Sequence, residues 1–320
     1  MSKFHIKKVS EVDKEKLFNF YQNSFNFDKD VLQNYTWRYR LNYQQNLEPL
    51  VLIVDNEICG HAGLMPVDLK IDNKSKKAIW FTDFFINKKY RSLGYGKLLT
   101  EAWMEICPIQ ITLCNNRSLK IFKKLNWSYN NNFIRNINLY NYLNIFPIFR
   151  KLDRSENLIN CSDNLKLIEL NNQNLSKIIR ISEEMLSKKS IGIIRDESWF
   201  KWRILDCPYK KDILVFSYNG EYLIAHIKKK NNLKILNIIY SSKFINQEII
   251  NLFLNFSKNN KIDYMAYISH ESKKNKLINL NLPWNKKINF AFFSKNNLDL
   301  KSFDEKFDDI QFIDSDIDYI

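Results

Sequence analysis

Residues 81–99 read F-T-D-F-F-I-N-K-K-Y-R-S-L-G-Y-G-K-L-L, and their types and spacing suit the holding of a pyrophosphate. An apolar, aromatic run delivers the chain to a basic turn. Arg91 adds fixed positive charge, Gly94 and Gly96 let the backbone approach closely, and an amphipathic helix starts at once. The free N–H groups of its first turn then face the anion. The chain has 6 glycines in 320 residues, and two of them stand two positions apart here. Two nearby groups can take a proton. Asp83 lies inside the aromatic run, and His61 lies in an earlier apolar segment expected to neighbour it.

The elements that must position these groups follow from hydrophobic period and turn residues. Strands are expected at 4–9, 50–54, 58–64, 67–71, 78–86, 109–114 and 133–139. Helices are expected from 14, with Asp13 as N-cap, and at 29–41, 96–106 and 116–125. Polar turns fall at 55–57 and 72–77. The order β-α-α-β-β-β-α-β-α-β predicts an α/β fold, a mostly antiparallel mixed sheet flanked by helices, with a crossover at the helix from Gly96.

This order and the R-S-L-G-Y-G run resemble the GNAT superfamily of acyl-CoA-dependent N-acetyltransferases over residues 4–140. The family's pyrophosphate signature is Gln or Arg, two residues, Gly, one residue, then Gly or Ala. Arg91, Gly94 and Gly96 fill it, and D-F-F-I-N-K-K-Y-R is similar to the polyamine-type members. Asn115, Ser118, Phe122, Asn126 and Trp127 occupy a frame in which the family often shows Asn, a small residue, Tyr and a Gly-Phe pair. The resemblance implies acetyl-CoA as co-substrate; no metal is expected, since only four histidines exist and none is close to a cysteine pair. It places the pyrophosphate on the N–H groups of Ser92, Leu93, Gly94, Tyr95, Gly96 and Lys97 beside Arg91, with Asn115 among the cofactor contacts. It pairs the pantetheine amides with the main chain of Phe84, Phe85 and Ile86, and aims the N–H near Phe84 at the thioester carbonyl.

Two positions depart from the family. Polyamine-type members have Glu directly before the Asp; here it is Thr82. The family's usual acid is a Tyr; here it is Phe122. Asp83 is therefore the first candidate base, against a buried Asp tying down a loop. His61 is the second, against a satisfied structural histidine. Strand alternation sets Asp83 on the face opposite Thr82 and Phe84 unless a bulge intervenes. Tyr129 and Tyr95 are further proton donors to consider.

The chain also repeats itself. Trp37-Arg38 and Gly60-His61 find counterparts in Trp202-Arg203 and Ala225-His226, both 165 residues on, and Leu125-Asn126-Trp127 resembles Leu282-Pro283-Trp284. The second copy has no glycine or arginine in S-S-K-F-I-N-Q-E-I-I after its strand at 233–240. The expected organisation is a GNAT domain at 1–140 with the CoA site, a linker at 141–164, and a degenerate GNAT-like domain at 165–320. Asp314, Asp316 and Asp318 alternate with apolar residues, as an edge strand with one acidic face would.

The net charge of +14 comes from lysines spread along the chain without interleaved aromatics, so nucleic acid is not the expected partner. Five scattered cysteines, none in a C-x-x-C pair, read as reduced core thiols. No apolar run is long enough to cross a membrane, and no signal-peptide core is present, so a cytoplasmic protein is expected. The reaction expected is acetyl transfer to the primary amine of a small acceptor, an amino sugar, polyamine or amino acid. The alternatives are an aminoacyl transferase of cell-wall type and a non-catalytic CoA-binding module.

Overall fold

The computed structural model describes residues 3–25, 34–43, 46–140, 165–243, 245–270, 286–295, 307 and 309–314. The expected linker at 141–164, residues 29–33 of the second helix, Cys161, the 282–284 match, Asp316 and Asp318 lie outside them. The chain divides into two compact units, 1–129 with 290–305 and 130–289 with 306–320.

Unit 1 begins with β1 (Phe4–Lys8) and α1 (Lys14–Phe25). Asp13 caps α1 as expected, its Oδ1 accepting from the Lys16 N–H at 3.0 Å. Leu17, Phe20 and Tyr21 bury the inner face of α1 with Val9 and Val51. A single turn, α2 (Tyr35–Arg38), follows. Then come β2 (Leu50–Val54), β3 (Glu57–Ile71) and β4 (Lys74–Ile86), in the antiparallel order β1-β2-β3-β4. Two-residue turns join them. Asp55-Asn56 and Asp72-Asn73 all have positive φ, the left-handed pair that matches strand twist. The two strands expected at 58–64 and 67–71 are one. Pro66 does not interrupt the β2–β3 pairing, because that pairing reaches along β3 only to Ala62, opposite Leu50.

After β4 the chain crosses over through α3 (Tyr95–Ile106) to β5 (Ile109–Cys114), which lies parallel to β4. Next comes α4 (Asn116–Lys124). Asn126, with φ 60°, ends it in the left-handed conformation that the family fills with Gly, and the Trp127 N–H donates to the Phe122 carbonyl at 3.0 Å. Residues 290–294 of the chain's last strand lie beside β5. The core of unit 1 is aromatic where α3 meets the sheet. The Trp103 ring stacks on Phe81 at 3.7 Å between centroids and on Trp127 at 5.4 Å.

Unit 2 takes residues 130–139 of β6 (Ser128–Leu139). It continues through β7 (Lys166–Ile168), α5 (Asn172–Ser187), β8 (Ile191–Ile193), α6 (Glu197–Phe200), β9 (Ile213–Tyr218), β10 (Glu221–Lys230), β11 (Leu233–Ser241), α7 (Gln247–Asn259) and β12 (Tyr264–His270). Its sheet order is β7-β9-β10-β11-β12-β6, antiparallel except for β11 and β12, which α7 joins in parallel. The acidic tail does not form the expected strand where it is described. Residues 312–314 make a 3-10 turn, and Asp314 is fully buried. Its carboxylate is claimed by Arg195, at 2.7 Å from Nε and 2.5 Å from the terminal nitrogen. A buried guanidinium leaves its partner no freedom to face water.

Trp103→Ala removes a wholly buried ring with two stacking partners. Such truncations cost about 3–5 kcal/mol. Urea unfolding of the variant should show a loss in that range, and a loss below about 1 kcal/mol would contradict the packing described.

Candidate active site

The site of unit 1 is made by two departures from regular sheet. The first is a bulge in β4. Gly63 pairs with Thr82 and His61 with Phe85, so Asp83 and Phe84 together oppose Ala62 and have no partner in the register. Asp83 takes φ +49°, left-handed in mid-strand. The extra residue brings Phe81 and Phe84, three apart, to one side with their rings 5.7 Å apart, which strict alternation forbids. Phe85 turns to the other side, against Phe20 at 5.8 Å.

The second departure is a splay. β4 and β5 pair only at Ile79–Gln110 and Trp80–Ile111. Where the ladder stops, the Thr112 hydroxyl donates to the Phe81 carbonyl at 2.8 Å. Beyond that point the β5 side of β4 is unpaired. A cleft of about 300 Å³, open to solvent, lies there, lined by Phe81, Phe84, Thr100, Trp103, Ser118 and Phe122 among others.

The turn into α3 matches its sequence. Ser92 (φ 65°) and Gly94 (φ 86°) are both left-handed, and Gly94 stands at the N-cap. A Cβ at Gly94 would touch nothing, so the glycine serves the backbone conformation and keeps the turn open. The first bonded amides of α3 are those of Lys97 and Leu98, both to the Gly94 carbonyl. The N–H groups of Ser92, Leu93, Gly94, Tyr95 and Gly96 have no partner among the described residues, as an anion-binding helix start requires. Arg91 is exposed. Its Nε donates to the Ile86 carbonyl at 2.8 Å, so Ile86 spends that oxygen on the protein, and its guanidinium stands 5.7 Å over Phe85. Lys97 is exposed and 3.6 Å from Glu101. Asn115 caps α4, accepting from the Arg117 and Ser118 N–H groups at 2.9 and 3.0 Å.

Asp83 and His61 come together, but as an interior network. The Asp83 carboxylate accepts from Arg38 Nε at 2.9 Å, Arg38 Nη2 at 3.0 Å and the Tyr39 hydroxyl at 2.8 Å. Burial pushes its acidity the other way, yet the Arg38 charge and hydrogen bonds prevail and hold it below the usual carboxylate range. His61 is wholly buried, with Nδ1 2.9 Å from the Asp83 carbonyl and Nε2 2.9 Å from the Tyr21 hydroxyl. A carbonyl only accepts, so Nδ1 carries the proton and Nε2 accepts from Tyr21. Arg38, Tyr39 and Tyr21 are absent from the sequence-based candidates. Gly63 gives them a trace, since a Cβ there would stand 2.7 Å from the Thr82 carbonyl and 2.9 Å from the Tyr39 ring. The Phe122 ring lies 4.6 Å from Trp127 and 5.9 Å from Phe81, in the apolar wall of the cleft. Tyr95 packs edge-on to Phe4 and Tyr90, and Tyr129 lies under Lys123 at 4.0 Å.

The sequence of residues 14–127 matches the acetyltransferase (GNAT) family. Those residues are a GNAT acetyltransferase domain. The chain is therefore an acyltransferase, its fold a mostly antiparallel mixed sheet flanked by helices. Solved structures share that fold. N-myristoyltransferase of Saccharomyces cerevisiae with bound myristoyl-CoA is similar at a TM-score of 0.58 and 10% identity, over 92% of this chain and 82% of that one. A probable N-acyltransferase of Enterococcus faecalis V583 is similar at 0.57 and 11%, over 91% and 72%. A GCN5-related N-acetyltransferase of Kribbella flavida is similar at 0.59 and 8%, over 91% and 71%. No curated protein matches the chain in sequence. Among the described residues no helix is long and apolar enough to cross a membrane, and no cluster of side chains suits a metal ion. Cys59, Cys107 and Cys207 are buried free thiols, and Cys114 is a partly exposed one.

The buried imidazoles of the GNAT domain and of unit 2 set an acid limit on stability. Burial lowers His61 from 6.5 to about 4, and lowers His226 likewise, with Lys228 and Arg203 adding to the effect there. Between those values the unfolded chain binds protons that the folded one refuses. Stability is thus full above about pH 6.5 and falls as the pH drops toward 4, by on the order of 3 kcal/mol for His61. Urea unfolding from pH 8 to 4.5 should show a plateau and then this decline. A flat profile through pH 5 would mean that His61 is not held neutral.

Proposed function

We propose that the GNAT domain moves an acetyl group from acetyl-CoA to the primary amine of a small soluble acceptor, by direct attack in a ternary complex. The observation that carries this reading is the conjunction, on one β-α-β crossover, of an unbonded helix start and a splayed strand with a free amide at its bulge. The first fits a pyrophosphate, held by the N–H groups of Ser92–Gly96 and the charge of Arg91. The second fits the pantetheine arm, whose amides would pair with the main chain at Phe84 and Phe85 against the walls of Phe81 and Trp103. Bound acetyl-CoA supplies an activated acyl carbonyl and a thiolate leaving group. The Phe84 N–H would stabilise the charge that develops on the carbonyl oxygen. Asp83 keeps its negative charge for Arg38, and His61 has no exposed atom, so the acceptor's amine loses its proton to water rather than to either.

Unit 2 is read as a degenerate GNAT-like repeat. Its sheet follows the same succession of antiparallel strands and one parallel crossover, while Asn246 caps α7 through its own side chain in place of a glycine turn. One CoA site per chain is the consequence. The free thiols accord with a cytoplasmic setting, where acetyl-CoA is made and used.

The test is calorimetry with acetyl-CoA, followed by thiol-release assays on a panel of amines. Gly94→Asp puts a side chain at φ 86° and a carboxylate beside the pyrophosphate, and should weaken binding by about 100-fold or more. Gly96→Ala brings a Cβ only to 3.7 Å from Ile86, an ordinary contact, and should stay within about threefold of the wild type. No binding of acetyl-CoA by the wild type, or equal affinity in the Gly94→Asp variant, overturns the assignment.

A further inference from the structure

The Asp83 peptide is gripped at both ends. Its carboxylate receives the two-pronged fork of Arg38 and the Tyr39 hydroxyl, and its carbonyl oxygen receives the Nδ1–H of His61. Every member of this grip is buried or nearly so, with side-chain exposures of 7% for Arg38 and 10% for Asp83, and residue exposures of 1% for Tyr39 and 0% for His61. A left-handed Asp inside a strand is strained, and persists only where its surroundings over-determine it. The next amide along the chain is that of Phe84, which the register leaves unpaired and whose ring lines the cleft.

We propose that His61 and Arg38 are positioning residues, which clamp the Asp83 peptide from its carbonyl and its carboxylate so that the Phe84 N–H stays fixed toward the cleft, and that neither moves a proton in the reaction. This rests on the transferase reading for its chemistry, but the clamp itself is a statement about the backbone. Rotating the Asp83–Phe84 peptide moves the Asp83 carbonyl and the Phe84 N–H together, because both belong to one planar amide. Holding the oxygen in a hydrogen bond to His61 therefore fixes the direction of the N–H. Tyr21 completes the arrangement. By donating to Nε2 it selects the tautomer in which Nδ1 carries the proton, and without that tautomer the carbonyl has no donor. Arg38 cannot be replaced by Lys without loss, since a point charge does not reproduce its two parallel bonds.

The experiment compares His61→Leu, His61→Asn and Arg38→Lys with the wild type. His61→Leu deletes the donor to the Asp83 carbonyl. His61→Asn keeps a donor at nearly the Nδ1 position and is the rescue variant. Losing a fixed oxyanion donor typically costs about 10²–10³ in kcat. His61→Leu, which loosens rather than deletes the Phe84 amide, should lose about 10–100-fold in kcat with acetyl-CoA affinity within about threefold. His61→Asn should recover most of that loss, and Arg38→Lys should fall between the two. The shape of the pH–rate profile should be the same in all active proteins. A profile that loses an ionisation in the His61 variants, or a folded His61→Leu protein with wild-type kcat, overturns the proposal.

Hydrogen exchange of the segment around Phe84 reads the same clamp without activity. Exchange should be faster in His61→Leu than in His61→Asn, and equal protection in the two variants also overturns the proposal. A wild-type protein that binds no acetyl-CoA ends the transferase reading, while this exchange comparison still decides the clamp. Where His61→Leu does not fold, Arg38→Lys and His61→Asn carry the comparison by the same two readouts.

Discussion

A strand amide bonded to its neighbouring strand is not available to a ligand, and a strand amide facing water is not held still. The proposed transfer would need an amide in unit 1 that is both free and fixed, and the bulge at Asp83 fits that demand. One extra residue leaves Asp83 and Phe84 without partners in the β3–β4 register. The left-handed turn this requires is unfavourable for aspartate, and the interior supplies the compensation through four hydrogen bonds to a single residue. Gly63 belongs to the same arrangement. Its missing side chain is what lets the Tyr39 ring lie against the sheet and reach the carboxylate. The splay between β4 and β5 leaves the other side of β4 open from Phe81 onward.

Burying an ion pair is costly, and here it is placed where specificity of backbone conformation matters more than raw stability. Arg38 and Asp83 satisfy each other in a two-pronged pair, and Tyr39 takes a further lone pair of the carboxylate. In the repeat proposed for unit 2, the counterparts are placed differently. Arg203, which stands 165 residues after Arg38, is also buried, but its Nε donates to the carbonyl of Ile313. The bulge there adds Ile239, a buried apolar residue, and no left-handed acid. The tail that serves Arg203 also answers Arg195 with Asp309 and Asp314. The end of β11 is taken up as well. The Ser241 N–H donates to the Gln311 side-chain carbonyl at 2.7 Å, and the Gln311 amide nitrogen donates back to the Ser241 carbonyl at 3.2 Å.

What could be read from the sequence is what is local in it. Strand, basic turn, glycines and helix start lie within residues 81–99, so the unbonded N–H groups of Ser92–Gly96 follow from chain order alone. The cap at Asp13 and the hairpin turns are local too. The clamp was not legible, because it joins Asp83 to partners 22, 44 and 45 residues away, and no short-range pattern marks a left-handed Asp inside an aromatic strand. The two structural alternatives weighed at the start, a tethering Asp and a satisfied His, describe the same object from its two ends. The Trp-Arg pair was visible only as a repeat. Its meaning required knowing that a buried guanidinium must find a carboxylate or a carbonyl. The tail misled for a similar reason. Its alternation of Asp with apolar residues fits a strand, but the demand of Arg195 outweighs that local preference.

The absence of a tyrosine at position 122 fits the rest of the cleft. A hydroxyl there would sit among Phe81, Trp103 and Trp127, with little to accept its hydrogen bond. Phe122 keeps its part of the wall apolar, beside Phe81, Phe84 and Trp103. A thiolate is a far better leaving group than an amine or alkoxide, so it has the least need of an acid at its side. The step that must be helped is the build-up of charge on the carbonyl oxygen, and in the proposed reaction that help would come from the Phe84 amide, which has no titratable group of its own. A site built this way depends on pH through its amine substrate rather than through its side chains. In the proposed clamp, the neutral His61 and an Asp83 carboxyl held below the usual carboxylate range by Arg38 would keep the amide in place.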